Sequence, residues 1–521
     1  MADTKREIER KYESDDSELP DLTRVPGVAT VVDKGVTHLD ATYHDTADQR
    51  LAASSVTLRR RTGGSDAGWH LKFPVAPGVR DEIHAPLRDT LPDELAALVR
   101  SRVRGSALLP VVRLRSDRDV RHLVDADGRL LAEVGVDTVH AERLTDDGGT
   151  ARWTEIEVEL ADDGDPAFLD KVEKRLRKAG IRPSKSASKL ARALADTTPD
   201  SATTATAASA TAPEAAPRRK HRPRADGKPV TAGDHVLAYV RAQRDALVEL
   251  DPAVRQDVPD SVHRMRVATR RLRSTFRSFR TILDREVTDP IGDDLKWLAA
   301  ELGLDRDQEV LAERLRSSLA DLPAPLVAGP VGHRLTTWAE ARHTGAHGHL
   351  TGILDSRRHL ALLDSLDALL TDPPLRKKAG AAPEKALTKA VRKDLDKLTG
   401  LVTRALDLPP GTDRDVALHE ARKKTKRTRY AAEAAAPALG RPADDLTKAM
   451  KSLQDLFGDH QDSVMARKTL RELAAVAHAA GESAFTYGVL HAREERRAEL
   501  VEAALPEAWK AITKGLRPWT T

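Results

Sequence analysis

The chain has 521 residues, 85 of them Lys or Arg and 81 Asp or Glu, for a formal net charge of only +4. That length calls for two or three domains, and any polyanion partner would need the basic residues segregated into patches. Cysteine is absent, which excludes disulfides, thiolate zinc sites and a cysteine nucleophile, and aromatics at 3% supply few stacking platforms for nucleic acid.

The opening, MADTKREIERKY, has no apolar signal-peptide core, and no run of about 18 apolar residues suggests a membrane span. A soluble, cytoplasmic protein without membrane contact is expected. Short alternating runs come first: REIERKY, THLDATYH, SVTLRRR, GWHLKF, VVRLRS, RLLAEVGVDTVHAERL and RWTEIEVEL. Gly, Asp and Pro separate them, which predicts antiparallel strands. Two helices interrupt them, near LPDELAALVRSRV and DPAFLDKVEKRLRKAG. Residues 1–196 therefore read as a β-rich α+β domain. Residues 197–229, rich in Ala, Thr, Ser and Pro, cannot bury a core and read as a flexible linker. From 230 to 515 the apolar spacing turns helical, predicting an all-α domain of eight or more helices.

An internal repeat runs through the helical part. His263-Arg264-Met265-Arg266 with Arg270, Arg271 and Arg273 matches His419-Glu420-Ala421-Arg422 with Lys426, Arg427 and Arg429, 156 positions on. Downstream, Gly303-Leu304-Asp305-Arg306-Asp307 matches Gly458-Asp459-His460-Gln461-Asp462. Two halves of similar length follow one another.

Within the first domain, charge sorts by strand parity. Glu7, Glu9 and Lys11 share one face, as do Glu155, Glu157 and Glu159, Arg59 and Arg61, and Arg113 and Arg115; Lys72 lies in GWHLKF. Ile8, Leu58, Val112, Ile156 and Val158 take the opposite faces. If the sheet closes, the charged faces line an interior. Five inward carboxylates would repel strongly, which divalent cations relieve, and oxygen-only donors suit Mg²⁺ or Mn²⁺. Facing Arg and Lys residues would bind a highly anionic ligand. Such a cavity suits a triphosphate.

The ordered set Glu7-Ile8-Glu9-Arg10-Lys11, Tyr43-His44-Asp45-Thr46, Leu58-Arg59-Arg60-Arg61, Trp69 to Lys72, Arg113/Arg115, EIEVEL and Ser188-Lys189-Leu190-Ala191-Arg192 resembles the CYTH domains, the triphosphate tunnel metalloenzymes. Arg60 departs from the apolar residue usual between the two arginines. The resemblance implies an eight-stranded antiparallel tunnel that hydrolyses or cyclises triphosphates with Mg²⁺ or Mn²⁺. It also implies that Glu7, Glu9, Glu157 and Glu159, with Glu155 in support, bind metal, and that Lys11, Arg59, Arg61, Lys72, Arg113, Arg115 and Lys189 bind phosphates. Glu7, Glu9 and Lys11 are the expected catalytic set.

In the second domain, His263, Arg266, Arg270, Arg273 and Arg277 fall in a helical stripe about 80° wide, with Met265, Leu272, Phe276 and Phe279 opposite. Residues 261–280 hold seven Arg and no acid, so a polyanion or an acidic neighbour must compensate. The second copy carries His419, Arg422, Lys423, Lys426, Arg429 and Tyr430. His343, His347 and His349 read as a surface segment. The two stripes, the duplication and Leu302-Gly303 with Arg306-Asp307 resemble the CHAD domain, a helical domain often found beside CYTH. That implies paired four-helix bundles whose basic surfaces bind inorganic polyphosphate.

The expected function is hydrolysis of a triphosphate, foremost inorganic tripolyphosphate, beside a polyphosphate-binding helical domain, with association with polyphosphate granules as a corollary. Thiamine or nucleoside triphosphatase, adenylyl cyclase and a non-catalytic polyphosphate-binding scaffold are the alternatives. Nucleic acid is disfavoured by the scarcity of aromatics.

Overall fold

Alternating side chains in the first part of the chain do form strands, and the strands close on themselves. A computed structural model describes residues 3–13, 19–145, 148–198, 229–303, 306–343, 346–516 and 519. Most of the expected linker, 199–228, lies outside the described residues, as do Leu304 and Asp305. The chain divides into two compact units, Met1–Arg218 and Arg219–Thr521.

In the first unit the strands are β1 (Asp3–Glu13), β2 (Thr30–Asp45), β3 (Thr57–Thr62), β4 (Gly68–Ala76), β5 (Val79–Pro86), β6 (Leu109–Val124), β7 (Leu130–Arg143) and β8 (Thr150–Leu160). Their order is β5-β4-β3-β2-β6-β7-β8-β1, and β1 returns to pair with β5. All these pairings are antiparallel. β1 makes the closure possible by changing partner along its length: Asp3 to Ile8 lie against β5, and Glu9 to Glu13 against β8. A two-residue strand, β9 (Arg182–Pro183), extends the edge beside Tyr12 and Glu13.

Helices α1 (Arg50–Ala53), α2 (Asp93–Val103), α3 (Ala167–Lys178) and α4 (Lys189–Asp196) cover this ring. α3 buries Phe168, Leu169, Val172 and Leu176 against Ile156, Val158 and Val134, the outward apolar faces of β7 and β8. α2 does the same for β3, β4 and β5 through Leu95, Leu98 and Val99 on Leu58, Leu71 and Ile83. With the apolar parity committed to these outer cores, the other parity must face the bore. α4 packs Leu190 and Ala193 against Ala41, Tyr43 and Leu114; the Ser188 hydroxyl accepts from the Ala191 amide at 3.1 Å and starts the helix so that Lys189 opens its first turn.

The second unit is built of helices: α5 (Ala232–Arg255), α6 (Ser261–Ser278), α7 (Arg285–Glu301), α8 (Arg306–Ala320), α9 (Val331–His343), α10 (Ala346–Asp355), α11 (Arg357–Thr371), α12 (Pro383–Asp407), α13 (Thr412–Leu439), α14 (Arg441–Ala479) and α15 (Phe485–Gly515). The repeat appears element by element. α5 corresponds to α12, α6 to α13, α7 with α8 to the single long α14, and α9 with α10 to α15. The apolar faces of the two halves join in one large core that includes Met265, Leu272, Phe276, Leu395, Ala421, Met450 and Phe457. A smaller core holds α8 and α9 against the later part of α14 and the start of α15. No helix among the described residues is long and apolar enough to cross a membrane.

Candidate functional site

The bore of the ring is a cavity of about 770 Å³. Lys5, Glu7, Glu9 and Lys11 of β1 line it, with Arg59 and Arg61 of β3, Lys72 of β4, Glu157 and Glu159 of β8, and Lys189 of α4. In a ring of eight strands, β3 stands four strands from β8 in either direction. Arg59 and Arg61 therefore face Glu157 and Glu159 across the bore. On the acidic wall, Glu9 is directly opposite Glu159 and Lys11 opposite Glu157 in the strand register, close enough for their charges to couple.

Glu157 is the hub of that wall. Lys11 and Arg118 both bond its carboxylate, and the Lys189 ammonium lies 2.6 Å from it. Burial opposes its charge, but Lys11, Lys189 and Arg118 outweigh that and hold it well below the ordinary carboxylate range. Lys189 also lies 3.0 Å from Asp137 and 2.8 Å from Glu155. Glu155 thus sits at the wall of this cluster, its other oxygen accepting from the Trp153 indole at 2.7 Å. Burial disfavours the charged Lys11 ammonium, but Glu157 and Glu9 more than offset it and raise its pKa.

A second cluster sits toward β4 and β5. Lys72 lies 2.5 Å from Glu7 and 3.4 Å from Glu82, and His70 Nδ1 is 2.8 Å from Glu82. Burial and the neighbouring Glu82 push the Glu7 carboxyl up, against Lys72. Glu82 moves the other way: burial is overcome by His70 and Lys72, and its carboxylate stays ionised. Two carboxyls of one cluster pushed apart in this way mark a place that demands more positive charge.

Both arginines of the basic wall present orphan donors. The Nε groups of Arg59 and Arg61 are buried with no hydrogen-bond acceptor among the described residues, a costly arrangement that an anion in the bore would relieve.

Two sequence expectations need correcting. Arg113 and Arg115 do not face the bore. Arg113 forms a bidentate pair with Asp40 at 2.9 and 2.5 Å, Arg115 lies 3.5 Å from Glu142, and their side chains are 41% and 58% exposed. The inward parity of β6 is Leu114, Ser116, Arg118, Val120 and His122. Arg118 is the inward cation of this strand, clamped on Asp137 at 2.8 and 2.7 Å. To reach Glu157 it crosses the intervening β7 over Gly135, where an added Cβ would lie 3.3 Å from its Nε. A glycine inside a strand run signals such a close approach, and it stands in plain view in LLAEVGVDTVH. The alternating runs of the sequence do not include β5, whose Arg80, Glu82 and His84 also line the bore, although their alternation with Ile83 and Ala85 is the same parity signal.

In the helical unit, α6 and α13 line a groove of about 980 Å³. His263, Arg266, Arg270, Arg273, Arg277, His419, Arg422, Lys423, Lys426 and Arg429 all line it, so every residue expected from the two stripes is brought to one place. Lys296, Arg314, Arg427 and Tyr430 join them. The predicted apolar side of α6 is buried, with Met265 and Leu272 inaccessible to solvent.

Acidic neighbours neutralise part of the charge. Glu433 accepts from Arg271 at 3.0 Å and Arg429 at 2.9 Å, and Glu494 and Asp459 hold Arg314. Gln461, which departs from the repeat, bonds His419 Nδ1 at 2.6 Å. The repeated glycine lies beneath the repeated arginine in both halves: a Cβ on Gly303 would meet Arg266 at 2.8 Å, and one on Gly458 would meet Arg422 at 4.0 Å. The side chains of Arg306, Asp307 and His343 lie outside the described residues. His349 is a surface residue bonded to Glu301 at 2.8 Å.

A closed antiparallel ring with opposed acidic and basic walls is followed by a duplicated helical unit with a shared cationic groove. The CYTH domain family matches residues 5–194 and the CHAD domain family residues 238–471. The uncharacterized Mycobacterium tuberculosis protein Rv2226 is 37% identical over 531 aligned positions, covering 98% of this chain and 97% of its own. The chain belongs to the family that joins a CYTH domain to a CHAD domain.

Among solved structures, PptA from Streptomyces chartreusis is similar at a TM-score of 0.46 and 25% identity, covering 54% of this chain and 100% of that one. The CHAD domain from the plant Ricinus communis is similar at 0.43 and 24%, covering 56% and 96%. CYTH domains are metal-dependent, and the family comprises triphosphatases and cyclases.

The residues present fit such a metal. Asp137, Glu155 and Glu157 each offer an oxygen, and these lie within 4.8 Å of one another. The donors of the acidic wall are carboxylate oxygens without sulfur, the chemistry of hard cations such as Mg²⁺ and Mn²⁺.

Proposed function

We propose that the tunnel hydrolyses a triphosphate, foremost inorganic tripolyphosphate, and that the helical groove binds inorganic polyphosphate. The opposition of Arg59 and Arg61 to Glu157 and Glu159 across one bore carries the first half of this reading. It offers anion-binding donors on one side and hard oxygen ligands on the other.

Glu7, Glu9, Glu157 and Glu159, with Asp137 and Glu155 behind them, would hold Mg²⁺ or Mn²⁺. The metal supplies charge neutralisation of the phosphate chain and acidification of a bound water. The protein's own groups do the rest. Lys11, Lys72, Arg118 and Lys189 neutralise the carboxylates, and with Arg59 and Arg61 they would supply the donors to phosphate oxygens. The ion pairs keep the charged walls folded in the absence of ligand, and the same groups orient the substrate in its presence. Tyr43 is the one Phe, Tyr or Trp side chain among the residues lining the bore, and its hydroxyl accepts from Arg59 at 3.3 Å. The other rings of the lining are the imidazoles of His70, His84 and His122, and the preponderance of Lys and Arg over rings favours tripolyphosphate over nucleotides.

For the groove, the favouring observation is that both halves contribute the same set: His263, Arg266 and Arg270 match His419, Arg422 and Lys426. Polyphosphate has no 5′-to-3′ polarity and no bases, so a duplicated set of phosphate contacts suits it, with affinity falling as salt rises. Buried donors at Arg273 Nε and Arg422 Nε lack an acceptor among the described residues. The test is phosphate release from tripolyphosphate, ATP, thiamine triphosphate and long-chain polyphosphate, each with Mg²⁺ or Mn²⁺ and each repeated with Glu9→Gln. Metal-dependent release that survives Glu9→Gln overturns the site assignment. Absence of release from all four substrates favours a binding scaffold.

A further inference from the structure

At the end of α6 the groove has a side branch that the sequence stripe covers only in part. A separate cavity of about 340 Å³ is lined by Arg273, Arg277, Arg280, Arg285 and Arg427, with Asp289 and Asp293 as its acids. Three of these arginines, Arg273, Arg277 and Arg427, also line the main groove, so the two cavities share a cationic wall.

Arg427 anchors that wall. It donates to the Arg277 carbonyl at 2.6 Å and to the Ser278 hydroxyl at 3.2 Å, closing the C-terminal end of α6, and it lies 3.3 Å from Asp394. Burial lowers the pKa of Arg427, and Arg277 and Arg280 add to the effect against Asp394. Arg273 is lowered likewise by burial and by Arg277. Of the two acids, Asp289 is engaged by Arg285 at 2.6 Å in an i,i+4 pair whose side chains are about half exposed. Exposed pairs of that kind are weak and easily exchanged for a better anion. Five guanidinium groups around two carboxylates leave an excess of positive charge at a confined place.

We propose that this branch is a second phosphate subsite, occupied only by chains long enough to run past the end of α6, so that the helical unit selects long polyphosphate over short oligophosphates. The proposal rests on the polyphosphate reading of the groove and deepens it. The bland alternative is that Arg277 and Arg280 merely complement the dipole at the C-terminus of α6. In that case their removal affects no ligand by length.

The test uses the full chain in chelator, so that nothing is hydrolysed. Binding of long-chain polyphosphate and of tripolyphosphate is measured as a function of salt for the native chain, for Arg280→Gln/Arg285→Gln and for the groove variant Arg270→Gln/Lys426→Gln. The tunnel is identical in all three and cancels in the comparison. The branch variant should bind long chains more weakly, with the slope of log K against log salt reduced by about 1–2, and should leave tripolyphosphate unchanged. Equal effects on both ligands, or no effect on either, overturn the subsite. If instead the groove variant leaves long-chain binding intact, the polyphosphate reading itself fails. Unchanged thermal unfolding of the branch variant establishes that a lost affinity is not a lost fold.

Discussion

Replacing the hub carboxylate, Glu157→Gln, tests the energetics of the tunnel directly. The side chain is 12% exposed and contacts Lys11, Arg118 and Lys189. Removing one partner of a buried ion pair costs about 3–5 kcal/mol. None of the three cations is stranded, however. Lys11 keeps Glu9 at 3.0 Å, Arg118 keeps Asp137, and Lys189 keeps Asp137 and Glu155. The loss should therefore fall at the low end, about 3 kcal/mol, which for a unit of this size lowers Tm by about 6–12 °C. Calorimetry of the full chain in chelator reads it, the tunnel transition being the one that the groove variant Arg270→Gln/Lys426→Gln leaves in place. Adding Lys11→Met removes one surplus cation and should recover part of the Tm but none of the hydrolysis. A fall of under about 2 °C for Glu157→Gln alone would refute the view of this residue as the energetic centre of the wall.

Further outcomes are expected. Arg118→Gln should abolish or severely raise KM for metal-dependent hydrolysis, whereas Arg113→Gln/Arg115→Gln should leave phosphate release within about twofold of native, surface pairs being worth little. Gly303→Ala forces Arg266 to shift and should weaken polyphosphate binding, while Gly458→Ala, with Arg422 at 4.0 Å, should leave binding unchanged and stabilise α14 by up to about 1 kcal/mol; unfolding and binding measurements on both variants decide it. Burial, with Lys423 and Arg422 nearby, holds the His419 pKa below its ordinary value despite the bond to Gln461. A polyanion in the groove raises that pKa, so binding takes up a proton and affinity should climb as pH falls through about 6.5 and below. His419→Gln should flatten that dependence, and matching pH profiles for the two proteins would exclude His419 from the contact.

The contrast between the two units shows which patterns a sequence reports. In the groove, helical periodicity and duplication locate the same residues twice, and all ten stripe residues share one cavity. Arg427 escaped the stripe because it follows Lys426 directly, yet the end of α6 turns it into the wall. Strand parity says only that residues alternate; the side facing the bore is decided by what packs outside. For β8 the outer face is plainly apolar, and Glu157 and Glu159 line the bore. On β6 the apolar Val112 and Leu114 share the inward parity of Arg118 and pack with Leu190 of α4, so charge at Arg113 and Arg115 misleads. Arg118 finds Glu157 across two strand spacings through Gly135, a partnership that lies in three dimensions only. β5, with one side-chain face apolar and the other Arg80, Glu82 and His84, follows Pro74, Pro77 and Gly78 and ends at Pro86, and that punctuation reads as a loop.

The partner change within β1 also bears on how the tunnel comes into being. Glu9 pairs with Glu159 and Lys11 with Glu157, so one wall joins segments separated by nearly the whole first unit. Such pairings have high contact order, and their loop-closure entropy must be met before they contribute stability. During synthesis β1 is made first, but β8 is its partner and emerges only after the other seven strands of the ring. Until then β1 has β5 as its sole neighbour, with an unpaired edge open to other chains. Joining of β1 to β8 completes the ring and, in the same event, assembles the acidic wall. The β7–β8 pair alone gathers Asp137, Glu155 and Glu157, but Glu7, Glu9 and Lys11 reach them only with β1, so the full charged wall arrives only with closure.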